Sequence, residues 1–214
     1  MYEALKRNGL EVDTLTLKNW FTRFYIRATM FYLNRIKKQG VTNFETTVLG
    51  AKYWGKRADK LIHDQDKKSN YYFCPAGASI IAFAHSQAKF VDLPDATYAL
   101  MNNYYYAGVD KKGADNGDEI DQKALTRADK IILPSQWAYK SVQNDYDQPE
   151  GKLSLIPFGA NMPDVKITPK TLTSKEINIL LVGVEWKRKG VDIALDIVAK
   201  LNENSLAGYH YTCL

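Results

Sequence analysis

A turn rich in glycine and in cations, residues 183–190, carries the strongest chemical signal in the sequence. It follows an apolar run, holds three consecutive cations and precedes a segment with helical spacing. Glycine lets the backbone approach a ligand closely, and a helix N-terminus offers unpaired N–H groups and the positive end of its dipole. The turn is therefore predicted to bind an anion such as a diphosphate, although a solvated basic turn is the alternative. The residues assigned to this site are Gly183, Val184, Arg188, Lys189 and Gly190.

A carboxylate follows another apolar run. Asp95 comes directly after Pro94, which ends the run of residues 89–93. Ligands of parallel sheets lie at the carboxyl ends of the strands. Asp95 is therefore predicted to bind hydroxyl groups or to assist proton transfer, as a catalytic residue. An Asx turn or a helix cap after Pro94 is the alternative.

Short apolar runs alternate with helical stretches along the chain. Strands are predicted at residues 10–17, 71–74, 89–93, 130–133, 153–156, 177–184 and 209–214. Helices are predicted at residues 1–7, 20–38, 78–84, 119–128, 136–144 and 191–201, with Ser135 as a cap. Short uninterrupted apolar runs suit strands that are covered on both faces of a parallel sheet. The alternation predicts an α/β fold of the doubly wound, Rossmann-like type.

A stretch rich in proline, serine and threonine separates two such units. The predicted organisation is a Rossmann-like domain over residues 1–160, a linker over residues 161–176 and the beginning of a second Rossmann-like domain over residues 177–214. No strand precedes the first helix, and the second domain reaches only about one βαβ unit. We therefore expect a fragment without its first strand, which does not turn over substrate alone.

Composition narrows the classes of partner and site. The net charge of +5 and the pI near 9.0 favour an anionic partner such as phosphate, nucleic acid or a membrane surface. The alternative is that this charge only keeps the protein in solution. Cys74 and Cys213 fit neither a disulfide framework nor a zinc site, which favours a reducing cytoplasm. The three histidines have no partners at ligand spacing, so no metal site is predicted.

The predicted helix over residues 20–38 is both aromatic and basic. Such a helix can lie on an anionic membrane or partner. Its basic residues are not confined to one face, which favours instead an ordinary buried helix whose lysines extend to solvent.

Four segments, in order, resemble parts of one enzyme family. They are DATYALM with YY at residues 95–105, RADK with SQWA at residues 127–138, IPFGAN at residues 156–161, and GVEW with RKG and DIAL at residues 183–195. Together they are similar to the retaining nucleotide-sugar glycosyltransferases of family 4, also called glycosyl transferases group 1. The match extends over about residues 71–201.

This resemblance implies a GT-B fold and transfer of a sugar from a nucleotide-diphosphate donor to an acceptor with retention. It implies a role in glycan or cell-envelope polysaccharide synthesis, and cations rather than a metal at the leaving diphosphate. Lys189 matches the family lysine that contacts the diphosphate, and Asp95 matches a position that borders the sugar and the acceptor. The family often has an arginine where Val184 stands, so either Arg188 supplies that charge or the donor contact is weaker.

The implied partners are a nucleotide-sugar donor and a glycan or lipid-linked acceptor, with no cofactor and no nucleic acid. The expected location is the cytoplasm, with a peripheral contact at the inner face of the membrane left open. Two other functions stay open. One is a non-catalytic α/β anion-binding module or degenerate relative, and the other is a basic domain associated with membranes or nucleic acid.

Overall fold

The computed structural model describes residues 2–37, 43–65, 69, 71–102, 104–106, 109–159, 176–204 and 208–213. The chain forms two compact units, Met1–Ala160 and Asn161–Leu214. Residues 161–175 of the predicted linker lie outside the described part of the chain.

The first unit alternates helices with short strands. Its helices are α1 (Tyr2–Arg7), α2 (Trp20–Phe31), α3 (Val48–His63), α4 (Ala78–Ile81), α5 (Tyr98–Met101), α6 (Lys111–Arg127) and α7 (Gln136–Asn144). Its strands are β1 (Tyr72–Pro75), β2 (Phe90–Leu93), β3 (Lys130–Leu133) and β4 (Leu153–Leu155). A π-helical turn, Tyr32–Ile36, continues α2, and 3-10 turns span Phe44–Thr46 and Glu150–Lys152.

The four strands of the first unit form one parallel sheet in the order β1-β2-β3-β4. Cys74 and Ile131 both lie opposite Asp92, and Leu153 lies opposite Ile131, so the register runs straight across the sheet. Parallel neighbours need crossover connections, and the helices supply them. The predicted α/β class with a parallel sheet and flanking helices is confirmed, and this arrangement is compatible with a Rossmann-like fold.

Two hydrophobic clusters hold the helices on this sheet. The first cluster contains the buried residues Leu125, Ala128, Ile131, Leu133, Ala138, Val142 and Tyr146. The second contains Ile62, Ile81, Ala84, Phe90 and Ala124. Helix α6 contributes to both clusters through Ala124 and Leu125, and it therefore ties the two halves of the unit together.

Side-chain caps set the starts of several helices. Asn19, Thr47, Thr97, Asp110 and Ser135 each accept a hydrogen bond from a backbone N–H in the first turn of the helix that follows. Such a bond satisfies one of the donors that a helix start leaves unpaired. The predicted cap at Ser135 is confirmed. Helix α6, which Asp110 caps, begins at Lys111, eight residues before the start of the predicted helix.

Two sequence predictions for the N-terminal part of the chain need correction. Residues 10–17 form neither strand nor helix, although their apolar alternation predicted a strand. Leu15 instead packs on the second cluster, and the carbonyl oxygen of Leu17 accepts a hydrogen bond from the guanidinium of Arg57. Helix α3 was not predicted, because small residues make up most of the buried face on which Trp54 and Ile62 lie.

The preference for a buried helix at residues 20–38 is also wrong for the part described. In α2 only Thr22 is buried, and in the following π-helical turn only Leu33 is buried. Most of the large aromatic side chains of this segment point into solvent.

The second unit contains β5 (Glu176–Leu181), α8 (Val191–Asn204) and β6 (Gly208–Cys213). The two strands pair in parallel from Glu176 opposite Gly208 to Leu181 opposite Cys213. Val191 and Val198 form the buried stripe of α8. This is a βαβ arrangement, as predicted from the apolar run and the helical spacing that follows it. Among the described residues, no helix combines the length and the apolar character needed to cross a bilayer.

Candidate functional site

The first unit contains a cavity of about 520 Å³ at the carboxyl ends of β1 and β2. We call it the acidic pocket. Its lining includes residues that follow β1, residues that follow β2 and three residues of α6, of which Asp121 is charged. Those that matter for its chemistry are Ala76, Asp95, Tyr98, Tyr106, Asp121 and Trp137. This edge of a parallel sheet is where ligands bind in α/β folds.

Asp121 reaches the acidic pocket from α6. One of its carboxyl oxygens accepts a hydrogen bond from the backbone N–H of Tyr98 at 2.6 Å. Burial raises the pKa of Asp121 to about 7, and the neighbouring carboxyl group of Asp92 contributes to the rise. A carboxyl group with a pKa near neutrality can donate or accept a proton at physiological pH.

Asp92 lies within β2 and is 1% exposed. Its Oδ1 accepts a hydrogen bond from the N–H of Gly77 at 3.3 Å, while Oδ2 is buried and has no hydrogen-bond partner among the described residues. Burial raises the pKa of Asp92 to about 7. A carboxylate in this place would be a poorly compensated charge, so the protonated form is favoured below neutral pH.

Two tyrosines form a wall of the acidic pocket. The rings of Tyr98 and Tyr106 stack with their centroids 5.0 Å apart. Gly117 of α6 makes room for Tyr98, because a Cβ atom at position 117 would lie 2.2 Å from the Tyr98 ring. Burial raises the pKa of both tyrosines, so their hydroxyl groups stay protonated.

A buried network fixes the loop between β2 and α5. The hydroxyl groups of Thr97 and Ser141 are 2.6 Å apart, and Ser141 donates to Asp145 at 2.6 Å. Tyr146 donates to Asp118 at 2.6 Å, and its hydroxyl oxygen accepts from the N–H of Ala99 at 3.1 Å. These bonds connect α7 and α6 to the pocket, and they pre-organise the loop that carries Asp95.

Asp95 lines the acidic pocket and is exposed. Its Oδ1 accepts a hydrogen bond from the N–H of Ala96 at 3.0 Å, and Thr97 rather than Asp95 caps α5. The charge of Asp95 helps to raise the pKa of Asp121. The predicted site residue therefore lies together with a second carboxyl group that sequence reasoning had not identified.

The turn between β5 and α8, residues 183–190, is the second candidate site, and we call it the basic turn. The side chain of Lys189 lies over Gly183, because a Cβ atom at position 183 would be 2.9 Å from Cγ of Lys189. Gly190 has φ +67°, a left-handed conformation that glycine adopts without strain. Gly183 therefore leaves room for the Lys189 side chain, and Gly190 provides the left-handed turn into α8.

Counter-ions neutralise part of the basic turn. Lys187 contacts Asp192 at 2.7 Å and Arg188 contacts Glu185 at 2.7 Å. Lys189 has no ion-pair partner among the described residues and is exposed. Asp192 also accepts from the N–H of Ile193 at 3.1 Å, so an aspartate occupies part of the helix N-terminus. The cation best placed for an anion is therefore Lys189.

Val184 is 81% exposed, and its side chain has no polar atom, so only its backbone can hydrogen-bond to an anion near Gly183. Glu185 has φ +71°. A non-glycine residue in the left-handed region is strained, and such strain clusters at ligand-binding loops. Ala76 of the acidic pocket has φ 49°, and Asp147, outside both sites, has the same value.

The sequence carried unequal signals for these residues. Asp92 is a charged residue within the apolar run FVDL, a pattern that could have marked it as a buried carboxyl group. Asp121 stands in a polar helix with several other acidic residues, and nothing in its spacing distinguishes it. Its partners Tyr98 and Asp92 lie more than twenty positions away, so only the fold brings them together.

The two sites suit ligands of opposite charge. No lysine or arginine occurs among the described residues that line the acidic pocket, so that pocket favours a neutral, hydroxyl-bearing or cationic group. The basic turn favours an anion. No cluster of three or more metal-ligating side chains occurs among the described residues.

No protein-family model matches the sequence, and no curated protein matches it significantly.

Proposed function

We propose that the chain is part of a nucleotide-sugar-dependent retaining glycosyltransferase of the GT-B type. The observation that carries the proposal is the position of Lys189, exposed and without an ion-pair partner among the described residues, with its side chain lying over Gly183. A lysine held there presents its ammonium group to a ligand phosphate. Because the basic turn resembles the family's diphosphate segment, the proposed ligand is the diphosphate of a nucleotide sugar.

The basic turn suits the electrostatics of the reaction. Cleavage of a nucleotide sugar leaves negative charge on the diphosphate, and a preorganised cation lowers the free energy of that transition state. Lys189 would contact a diphosphate oxygen, while the backbone at Val184 and Gly190 would allow close approach. Arg188 would contribute after its bond to Glu185 is exchanged for one to the ligand. In this proposal no metal is needed at the leaving group.

The acidic pocket suits an acceptor with hydroxyl groups. Carboxyl groups bind sugar hydroxyls, and the exposed Trp137 and the tyrosine wall offer faces on which a sugar ring packs. Asp95 would accept a hydrogen bond from an acceptor hydroxyl and assist removal of its proton. The proposed acceptor is a glycan or a lipid-linked glycan, and the proposed location is the cytoplasm.

Diphosphate binding tests the proposal directly. We expect UDP, GDP or ADP, and more weakly inorganic pyrophosphate, to bind the chain in a calorimetric titration. Lys189→Ala should weaken binding roughly 10- to 100-fold, the loss of one charge-assisted hydrogen bond of about 1.5–3 kcal/mol. Lys187→Ala is the matched control, because Lys187 already pairs with Asp192, and it should change the affinity much less.

Equal affinities of the wild type and Lys189→Ala would contradict the assignment of the basic turn. Specific diphosphate binding without sugar transfer by the natural full-length protein would favour the non-catalytic anion-binding alternative. An assay of nucleoside diphosphate release from nucleotide sugars, with and without oligosaccharide acceptors, separates these two outcomes.

A further inference from the structure

Helix α2 and the π-helical turn after it, residues 20–36, expose most of their large apolar side chains and bury few residues. We call this segment the aromatic helix. Its inner face carries Thr22, which is fully buried and bonds to the cap Asn19 and to the hydroxyl group of Tyr53 at 3.2 Å. Leu33 is the other buried residue. Tyr25 stacks on Tyr53 with centroids 4.6 Å apart, which fixes the helix on the first unit.

The outer face of the aromatic helix carries its largest apolar side chains. Trp20 is 70% exposed, Phe24 is 72% exposed and Phe31 is 62% exposed. Positions separated by four, seven and eleven residues lie on one side of an α-helix, so these three side chains form one stripe. Further exposed apolar residues of the segment are Phe21, Tyr25, Tyr32 and Ile36. Exposed apolar side chains grouped on one face mark an interaction surface, and the exposed Arg27 lies on the same face between Phe24 and Phe31.

The charged residues in the part of the sequence that carries this stripe are of one sign, and one of them, Lys18, pairs with Glu45 at 3.5 Å. Between Thr14 and Phe44 the sequence contains no aspartate or glutamate, whereas its cations are Lys18, Arg23, Arg27, Arg35, Lys37 and Lys38. Arg23, Arg27 and Arg35 belong to the aromatic helix and are exposed. The partner of this surface must therefore accept aromatic side chains and supply negative charge.

An anionic lipid surface meets both requirements. Tryptophan and phenylalanine enter the boundary between headgroups and acyl chains, while arginines contact lipid phosphates. A second copy of the chain fits poorly, because an isologous contact would bring the same cations against each other. Thr22 and Tyr25 attach the helix to Tyr53 of α3 through its other side. The outer stripe can therefore lie flat on such a surface.

We propose that the aromatic helix docks the protein in the plane of an anionic membrane, with Trp20, Phe24 and Phe31 inserted among the lipid headgroups. This inference is independent of the glycosyltransferase proposal, because it uses no residue of the acidic pocket or of the basic turn. Peripheral docking of this kind needs no membrane-spanning helix.

Vesicle co-sedimentation tests the docking. The whole chain is mixed with vesicles of phosphatidylcholine alone or of phosphatidylcholine with phosphatidylglycerol, at low and at high salt. We expect binding to the anionic vesicles to be at least about tenfold stronger, since each basic residue near the surface contributes about 1 kcal/mol. High salt should reduce this preference.

Paired variants test which residues bind. Phe24→Ser combined with Phe31→Ser should weaken binding at least tenfold, whereas Phe158→Ser, which replaces an equally exposed phenylalanine elsewhere, should not. Arg23→Gln combined with Arg27→Gln should remove the preference for anionic lipid. The control for charge is Lys111→Gln combined with Lys112→Gln, on the exposed start of α6. Circular dichroism verifies that each variant keeps the wild-type helix content.

Three results would overturn the proposal. Equal binding to neutral and anionic vesicles would show that the arginines do not attract the helix to anionic lipid. Self-association that is abolished by the phenylalanine variants, without vesicle binding, would identify a second copy as the occupant. Stronger binding to an oligonucleotide than to the vesicles would identify nucleic acid. As an independent measurement, brominated lipids should quench tryptophan fluorescence in the wild type and much less in Trp20→Leu.

Discussion

The acidic pocket and the basic turn differ in how the protein holds their charges, although both follow the carboxyl ends of parallel strands. In the acidic pocket, Asp121 is partly buried and Asp92 close by is 1% exposed, and burial raises the pKa of both. In the basic turn, Lys187 and Lys189 are exposed, and acidic neighbours on the same turn or helix pair with Lys187 and Arg188 but not with Lys189 among the described residues.

This difference separates two kinds of functional group. Buried carboxyl groups affect the free energy of unfolding, because their protonation changes when the chain unfolds. Exposed cations affect ligand binding and its dependence on salt, with little effect on folding. Substitutions in the acidic pocket should therefore alter stability and its pH dependence, whereas substitutions in the basic turn should alter anion affinity.

The largest expected effect comes from filling the space beside the Tyr98 ring. Gly117→Ala would place a Cβ atom against that ring, so Tyr98 must move and its stacking on Tyr106 must change. Overpacking of this kind lowers the free energy of unfolding by about 1–3 kcal/mol. Gly151→Ala is the control, because nothing lies within 4 Å of its added Cβ. Urea denaturation measures both, and equal stabilities would show that Tyr98 does not form a rigid pocket wall.

The second prediction concerns the pH dependence of stability. The pKa of Asp92 is about 7 in the folded chain and 3.8 ordinarily, so between these values the folded state holds a proton that the unfolded state has lost. The free energy of unfolding should therefore fall as the pH rises from about 4 to about 7. For Asp92 alone the fall between pH 5 and pH 8 is roughly 2–3 kcal/mol.

Asp92→Asn should flatten this fall, and Asp121 accounts for the slope that remains, since its pKa is raised in the same direction. Asp115→Asn, on the exposed side of α6, is the matched control and should keep the wild-type slope. Denaturation at a series of pH values measures the slopes. If Asp92→Asn shows the wild-type slope, then Asp92 is not the buried titrating group.

Much of the sheet could be predicted from sequence because its strands are short apolar runs. The runs at residues 89–93 and 130–133 became β2 and β3 almost without change. Local periodicity failed to predict the secondary structure of segments whose conformation depends on contacts with distant parts of the chain. Residues 10–17 alternate like a strand but form no strand pairing within the described part of the chain. Most of the residues that α3 buries are glycine and alanine, which give little helical signal beside its Trp54 and Ile62.

The basic turn was visible from sequence because its residues are contiguous. The acidic pocket was only partly visible, because its lining comes from separate parts of the sequence, among them the loop after β2, α5 and α6. The aromatic helix shows a third limit. Periodicity predicted a helix over residues 20–38, but it cannot tell whether an apolar stripe faces the core or solvent, and the stripe with Phe24 faces solvent.

The third prediction tests whether Gly183 positions Lys189. Gly183→Ala would bring a Cβ atom to 2.9 Å from Cγ of Lys189, so the lysine side chain must shift. We expect affinity for UDP or pyrophosphate to fall about fivefold, which corresponds to about 1 kcal/mol. Gly159→Ala, with nothing within 4 Å of the added Cβ, should leave the affinity unchanged. Unchanged affinity in Gly183→Ala would mean that the lysine position is not set by the glycine.

The smallest expected effect comes from removing a counter-ion of the basic turn. Glu185 pairs with Arg188 at 2.7 Å, and that contact lowers the pKa of Glu185, so its carboxylate keeps its charge near an incoming anion. Glu185→Gln removes this negative charge while conserving size. For exposed charges several ångströms apart in water the gain is roughly 0.5 kcal/mol, or a two- to threefold tighter binding of pyrophosphate. The gain should vanish at high salt, where exposed charges are screened. Asp196→Asn, on the exposed side of α8 and farther along the helix, should give a smaller gain. Weaker binding in Glu185→Gln would show instead that the ion pair holds the turn in its binding conformation.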